Sequence, residues 1–128
     1  MKYVEVVAAV IQRKDGKIYC AQRNGDGELA LKWEFPGGKI EQGETHQEAL
    51  IREIQEEFST DVIIKDYITT VKHQYINFHL TLHAYYAEVS NGDLVLNEHA
   101  DFKWLLVDEL DQLDWAAADI PVVELLKR

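Results

Sequence analysis

A glycine-rich bend beginning at Gly37-Gly38 leads through Gly43-Glu44 into a segment that satisfies its own pattern only as an α-helix with two different faces. Thr45, followed three residues later by Glu48, forms a capping box in which each side chain closes a free backbone N–H of the first turn. The helix therefore runs from about His46 to Phe58. Leu50, Ile51, Ile54 and Phe58 fall on one side, while Glu53, Glu56 and Glu57 gather within about a 100° arc roughly 110° away. Carboxylates at these spacings repel by about a few tenths of a kcal/mol per pair. Apolar packing along one stripe gives the charged stripe a rigid support. Charge alone leaves two readings open: an acidic face bathed in water, or a cradle for a hard cation such as Mg²⁺, which takes oxygen ligands.

The 128 residues are expected to form one domain, residues 1–128, around a single core, and 47% hydrophobic content suits a packed globule. No apolar run approaches the roughly 18–20 residues that span a bilayer, and Met1-Lys2-Tyr3-Val4-Glu5 lacks the form of a secretory leader. The expectation is a cytoplasmic protein without a membrane partner. The one cysteine, Cys20, permits no internal disulfide and lies in an apolar strand pattern, which suits burial. A net charge of −10 argues against a nucleic-acid polymer, whose backbone requires clustered Lys and Arg. A free nucleotide remains compatible, provided metal ions bridge its phosphates to the acidic site.

Residues 4–13 and 17–23 are β-rich and flank Lys14-Asp15-Gly16, a hairpin signal. Residues 24–31 read as a loop, and 33–35 as a short strand stopped by Pro36-Gly37-Gly38. Strands follow at 62–71, at 78–89, where apolar Phe78, Leu80, Leu82 and Ala84 alternate with His79, Thr81 and His83, and at 102–107. Asp108-Glu109-Leu110 begins a short helical turn, and Pro121 opens a last helix with Val122, Val123, Leu125 and Leu126. This mixed order indicates an α+β chain with a sheet between helices.

The spacing G-x5-E-x7-R-E-U-x-E-E, with U aliphatic, runs from Gly38 through Glu44 to Arg52-Glu53-Ile54-Gln55-Glu56-Glu57 and resembles the Nudix box of the Nudix hydrolases. Trp33-Glu34-Phe35-Pro36-Gly37-Gly38 and Trp115-Ala116-Ala117-Ala118-Asp119-Ile120-Pro121 are similar to MutT-type and CTP-type nucleoside triphosphate pyrophosphohydrolases. The resemblance implies an α/β/α sandwich around a central mixed β-sheet. It also implies hydrolysis of (deoxy)nucleoside triphosphates to monophosphate and pyrophosphate, with Mg²⁺, or alternatively Mn²⁺, as cofactor. By the same resemblance Glu53, Glu56, Glu57 and Glu98 hold the ions, helped by main chain at Gly37 or Gly38. Glycine there lets backbone approach a ligand closely. Arg52 orients Glu53 by a charge-assisted hydrogen bond, or simply pairs with Glu48 or Glu56 along the helix. Glu44 either caps the helix or supports the metal shell, and either Glu53 or Glu98 deprotonates the attacking water.

Arg23 and Lys39 are single cations, ordinarily solvated, that the resemblance assigns to phosphate oxygens. Phe35, Tyr75, Phe78 and Leu82 line a base pocket or pack in the core. Asp119 caps the last helix or reads the base, where an ionised carboxylate only accepts hydrogen bonds and suits an amino or N–H edge. His73, His79 and His83 share strand parity and raise the thought of a transition-metal cluster, although any exposed sheet face shows such neighbours. Ser59-Thr60 stands where the family carries glycine and an aliphatic residue. A left-handed serine there costs on the order of 1 kcal/mol. Two rival readings follow: a nucleotide sensor without turnover, or a hydrolase of nucleotide sugars or dinucleoside polyphosphates. Monomer and homodimer are both compatible with the chain.

Overall fold

The computed structural model describes residues 2–94 and 99–128. Its elements in chain order are β1 (Lys2–Ile11), β2 (Ile18–Gln22), β3 (Trp33–Glu34), β4 (Gly37–Lys39), α1 (His46–Phe58), β5 (Asp61–Gln74), β6 (Phe78–Asn91), β7 (Asp101–Leu105) and α2 (Ile120–Leu126). Two 3₁₀ turns, Val107–Gln112 and Ala117–Asp119, precede α2. A mixed sheet has the order β4-β1-β6-β5, with β1 and β6 parallel, and a smaller antiparallel sheet has the order β3-β2-β7. The outer strand β5 is not regular: its register against β6 shifts after Asp61, after Ile64 and after Tyr67.

Strand alternation divides the interior into two packed layers. Val7, Ala9 and Ile11 of β1, with Tyr85 and Ala87 of β6, face α1 and meet Leu50, Ile54 and Phe58. Ala8 and Val10, with Leu82 and Ala84, face the opposite way against Phe35, Trp115, Val122 and Val123. The mixed sheet is thus covered on both sides, as in the sandwich expected from the box. Cys20 is buried in the second layer, where desolvation raises its thiol to about 12 and makes it an inert packing group.

Helix α1 begins and ends where the capping box and Phe58 place it, with Thr45 Oγ1 accepting from Glu48 N–H at 3.1 Å and Glu48 Oε1 accepting from Thr45 N–H at 2.9 Å. Ser59 terminates it in the left-handed region (φ 54°, ψ 40°), the strained conformation the missing glycine implies. Thr60 is buried, and its hydroxyl lies 2.8 Å from both Phe58 O and Asp93 O, so a polar side chain fits the aliphatic slot without an unmet donor.

Four local expectations are corrected. Lys14-Asp15-Gly16 turns the chain, but β1 and β2 separate into different sheets and share one bridge, Gln12 with Ile18. Gly37-Gly38 does not end regular structure; Pro36 interrupts it, and the glycines form β4 against Val6, Val7 and Ala8. Ile51 is exposed, and Ala49 takes its place on the buried stripe because burial here extends toward the N-terminal side of Leu50. The three histidines do not share a face. His73 pairs across the ladder with Leu80, whereas His79 faces Gln74, so the regular hairpin register itself sets His73 on the face opposite His79. His83 instead contacts Thr70, Glu5 and the stacked ring of His46.

Candidate active site

Arg52 organises the acidic face of α1. Its Nε and Nη2 bind both oxygens of Glu44 at 2.7 and 2.9 Å, Nη1 reaches Glu53 at 2.8 Å and Glu56 at 3.2 Å, and Nη2 also donates to the Lys39 carbonyl at 3.0 Å. These five bonds use all five guanidinium N–H donors. The Glu44 carboxylate consequently sits at about 2, with the Arg52 hydrogen bonds as the main cause, and the same contacts raise the guanidinium further above its ordinary value. Mutual repulsion along the helix is offset by one cation in fork geometry. Glu44 therefore clamps Arg52, and capping falls to Thr45.

The glycine strand explains how Glu53 is held from its other side. A Cβ on Gly37 would collide with the Val7 carbonyl across the β1–β4 ladder, so β4 pairs closely only as glycine. A Cβ on Gly38 would strike the Glu53 carboxylate, whose farther oxygen lies 2.8 Å from that position. Main chain and carboxylate thus meet with no side chain between them, an all-oxygen setting of carboxylates and carbonyls that suits Mg²⁺. The fit is incomplete in one respect: among the described residues no three His, Cys, Asp or Glu side chains are gathered closely enough to hold an ion. Glu56 is the outlier, being 59% exposed and turned toward Arg52.

Glu53 and Glu57 open onto a cavity of about 870 Å³ that Gly37, Gly38, Lys39 and Arg23 also line. Phe35, Tyr75, Phe78, Leu82 and Asp119 border the same cavity, so phosphate-directed and base-directed candidates share one space. Arg52 and Glu56 are not part of its wall, and Glu98 lies outside the described residues. Arg23, assigned above to phosphate, spends Nη1 on Glu34 Oε1 at 3.1 Å, while its buried Nε has no partner among the described residues.

Asp119 stands at the N-cap position of α2 without capping it, since its carboxyl makes no capping hydrogen bond. Oδ1 instead accepts from the Phe35 backbone N–H at 3.2 Å, tying the turn before α2 to the residue after β3. Burial first, and the Glu34 carboxylate second, push the Asp119 carboxyl well above the usual carboxylate range. A raised value favours the neutral carboxyl, which can donate one hydrogen bond as well as accept, beside the ionised, acceptor-only form considered from the sequence. Tyr75 is fixed beside it, its hydroxyl accepting from Ala118 N–H at 2.9 Å and its ring 5.0 Å from that of Phe78.

Sequence reasoning passed over Glu34 and His99. Glu34 Oε2 lies 2.8 Å from His99 Nε2, and both side chains line the cavity. Glu34 was legible in one respect, as the lone charge between two buried aromatics, Trp33 and Phe35. His99 carried no such signal, because only the tertiary fold brings it to Glu34, 65 positions away.

The family model of the NUDIX domain matches residues 7–125. The CTP pyrophosphohydrolase of Escherichia coli (strain K12) is 39% identical over 124 residues, covering 97% of this chain and 91% of that protein. The 8-oxo-dGTP diphosphatase of the same strain is 31% identical over 128 residues, covering 100% of this chain and 99% of its own length. The solution structure of the E. coli ORF135 protein matches at a TM-score of 0.84 and 38% identity, over 99% of this chain and 90% of that one. The MutT Nudix hydrolase of methicillin-resistant Staphylococcus aureus 252 matches at 0.78 and 45%, over 98% and 97%. With a domain match across nearly its whole length, the chain belongs to the Nudix hydrolase family.

Proposed function

We propose that the protein hydrolyses nucleoside triphosphates to the monophosphate and pyrophosphate, with a cytosine nucleotide as the favoured substrate. One observation carries the reading. A single cavity joins a carboxylate-and-glycine end, suited to a metal-bound phosphate chain, to a polar aromatic end suited to a base. The balanced reaction adds one water across a P–O–P bond, breaks that bond, and releases one proton at neutral pH.

Glu53 and Glu57 would hold the ion with the main chain at Gly37 or Gly38, and Glu56 and Glu98 complete the proposed set. Bound Mg²⁺, or Mn²⁺, supplies charge neutralisation on the non-bridging oxygens. Arg52 keeps Glu53 oriented, Lys39 and Arg23 face the phosphates, and Glu53 or Glu98 takes the proton from water. At the other end, a protonated Asp119 offers a donor to a ring nitrogen acceptor, while Glu34 accepts from a neighbouring amino group. That pairing matches N3 and N4 of cytosine. Phe35, Tyr75, Phe78 and Leu82 supply the apolar walls.

The likeness to the E. coli CTP pyrophosphohydrolase supports this reading, and the likeness to the 8-oxo-dGTP diphosphatase favours a second, in which oxidised guanine presents a comparable donor–acceptor edge. A panel of CTP, dCTP, their methylated forms, 8-oxo-dGTP and the common triphosphates, assayed with Mg²⁺ for monophosphate and pyrophosphate, separates them. Cytosine nucleotides should rank first. Preference for 8-oxo-dGTP moves the assignment to the second reading. Faster cleavage of ADP-ribose, or tight binding without product, replaces it with a nucleotide-sugar hydrolase or a sensor.

A further inference from the structure

We propose that His99 is a positioning residue for base selection, acting through Glu34; the inference rests on the base-reading role given to Glu34 above. The imidazole is buried, with its side chain only 7% exposed, and lies nearly parallel to Phe58, centroids 5.5 Å apart at 13°. That stack leaves rotation and tilt little freedom. Nε2 is 2.8 Å from Glu34 Oε2, while Arg23 Nη1 holds the opposite oxygen, Oε1, at 3.1 Å. Glu34 is therefore gripped at both oxygens by side chains from different elements, and its plane in the cavity is fixed.

The other imidazole nitrogen separates this role from simple core packing. His99 Nδ1 is buried and has no hydrogen-bond partner among the described residues. A histidine serving only the core ordinarily has both nitrogens met or is replaced by an apolar ring, because an unmet buried polar atom costs free energy. Among the described residues, the ring's one hydrogen bond goes to a carboxylate of the cavity wall. A carboxylate free to rotate would present its lone pairs to several base edges; one gripped from both sides presents them in one direction.

Two substitutions divide the ring from its donor. His99→Phe keeps an aromatic ring on Phe58 and deletes the bond to Glu34, and His99→Gln restores a donor nitrogen while losing the stack. Kinetics on the preferred triphosphate and on a competing base, with melting curves as the folding control, give the readout. His99→Phe should raise KM for the preferred nucleotide about tenfold, as for a lost bond to a charged group. Its kcat should stay within about threefold of wild type, and His99→Gln should recover most of KM. Placed on Glu34→Gln, His99→Phe should add less than about twofold.

An unchanged KM, a fall confined to kcat, or effects of the two variants that simply multiply would each overturn the role. If the wild type cleaves no triphosphate, the proposed function fails on its own. The same variants are then read by calorimetric binding of a non-hydrolysable CTP analogue, where equal affinity of wild type and His99→Phe overturns the His99 role separately.

Discussion

Arg52 is the residue on which the acidic face depends, because its five donors are distributed over Glu44, Glu53, Glu56 and the Lys39 carbonyl. Lysine carries the charge but not the fork. Arg52→Lys should leave the fold intact and lower kcat by about 10²-fold, since misplacement of a reacting carboxylate by about 1 Å has that scale; steady-state kinetics beside a melting curve check it. Two carboxyls make opposite contributions to acid stability. The folded value of Glu44, about 2, lies below its ordinary 4.5, so its stabilisation is present above pH 4.5 and fades as pH falls toward 2. Asp119 is raised above its ordinary 3.8, so its contribution is full below that value and lost as pH rises through the folded value. Asp119→Asn should accordingly gain stability relative to wild type between about pH 5 and about pH 8, measured by urea unfolding at both.

The elements most legible in the sequence were those that settle their own boundaries. Helix α1 carries its start in Thr45 and Glu48 and its buried stripe in Leu50, Ile54 and Phe58, so local chemistry sufficed. The assignment of β1 and β2 to separate sheets was not legible, because nothing in Lys14-Asp15-Gly16 encodes the partners each strand finds later in the chain. The end of α1 offers a direct test: Ser59→Gly should relieve the left-handed strain and stabilise the protein by about 1 kcal/mol, read as a higher urea midpoint with an unchanged slope. The paired glycines of β4 should separate backbone from site. Gly37→Ala meets the Val7 carbonyl and should lower the melting temperature. Gly38→Ala meets a side chain that can swing aside, and should mainly lower turnover.

Across the whole molecule, the candidate phosphate-side and base-side residues come from α1, β4, β6, the segments just after β2, β3 and β5, and the turn before α2 to share one cavity. The Arg52 contacts with Glu53 and Glu56 could be read from spacing within one helix, but not those with Glu44 and the Lys39 carbonyl. The Arg23–Glu34–His99 chain could not, because its members come from three separate segments. Coupling between ion and fold should be measurable at this scale. At about 100-fold over the dissociation constant, Mg²⁺ should add about 2.7 kcal/mol to stability if it binds only the folded state. A melting series should show the shift in wild type and a smaller one in Glu53→Gln or Glu57→Gln.

The broken register of β5 bears on how copies of the chain coexist. A fourteen-residue strand at the rim of the sheet among the described residues, were it flat, would invite another strand to dock and seed a fibril. Three shifts between Asp61 and Thr69, with Lys65, Asp66 and Lys72 on the strand, twist that rim out of line and scatter charge over it. The kinks deny a neighbouring copy a long straight template, so crowded solutions of this chain should resist gelation without any covering helix.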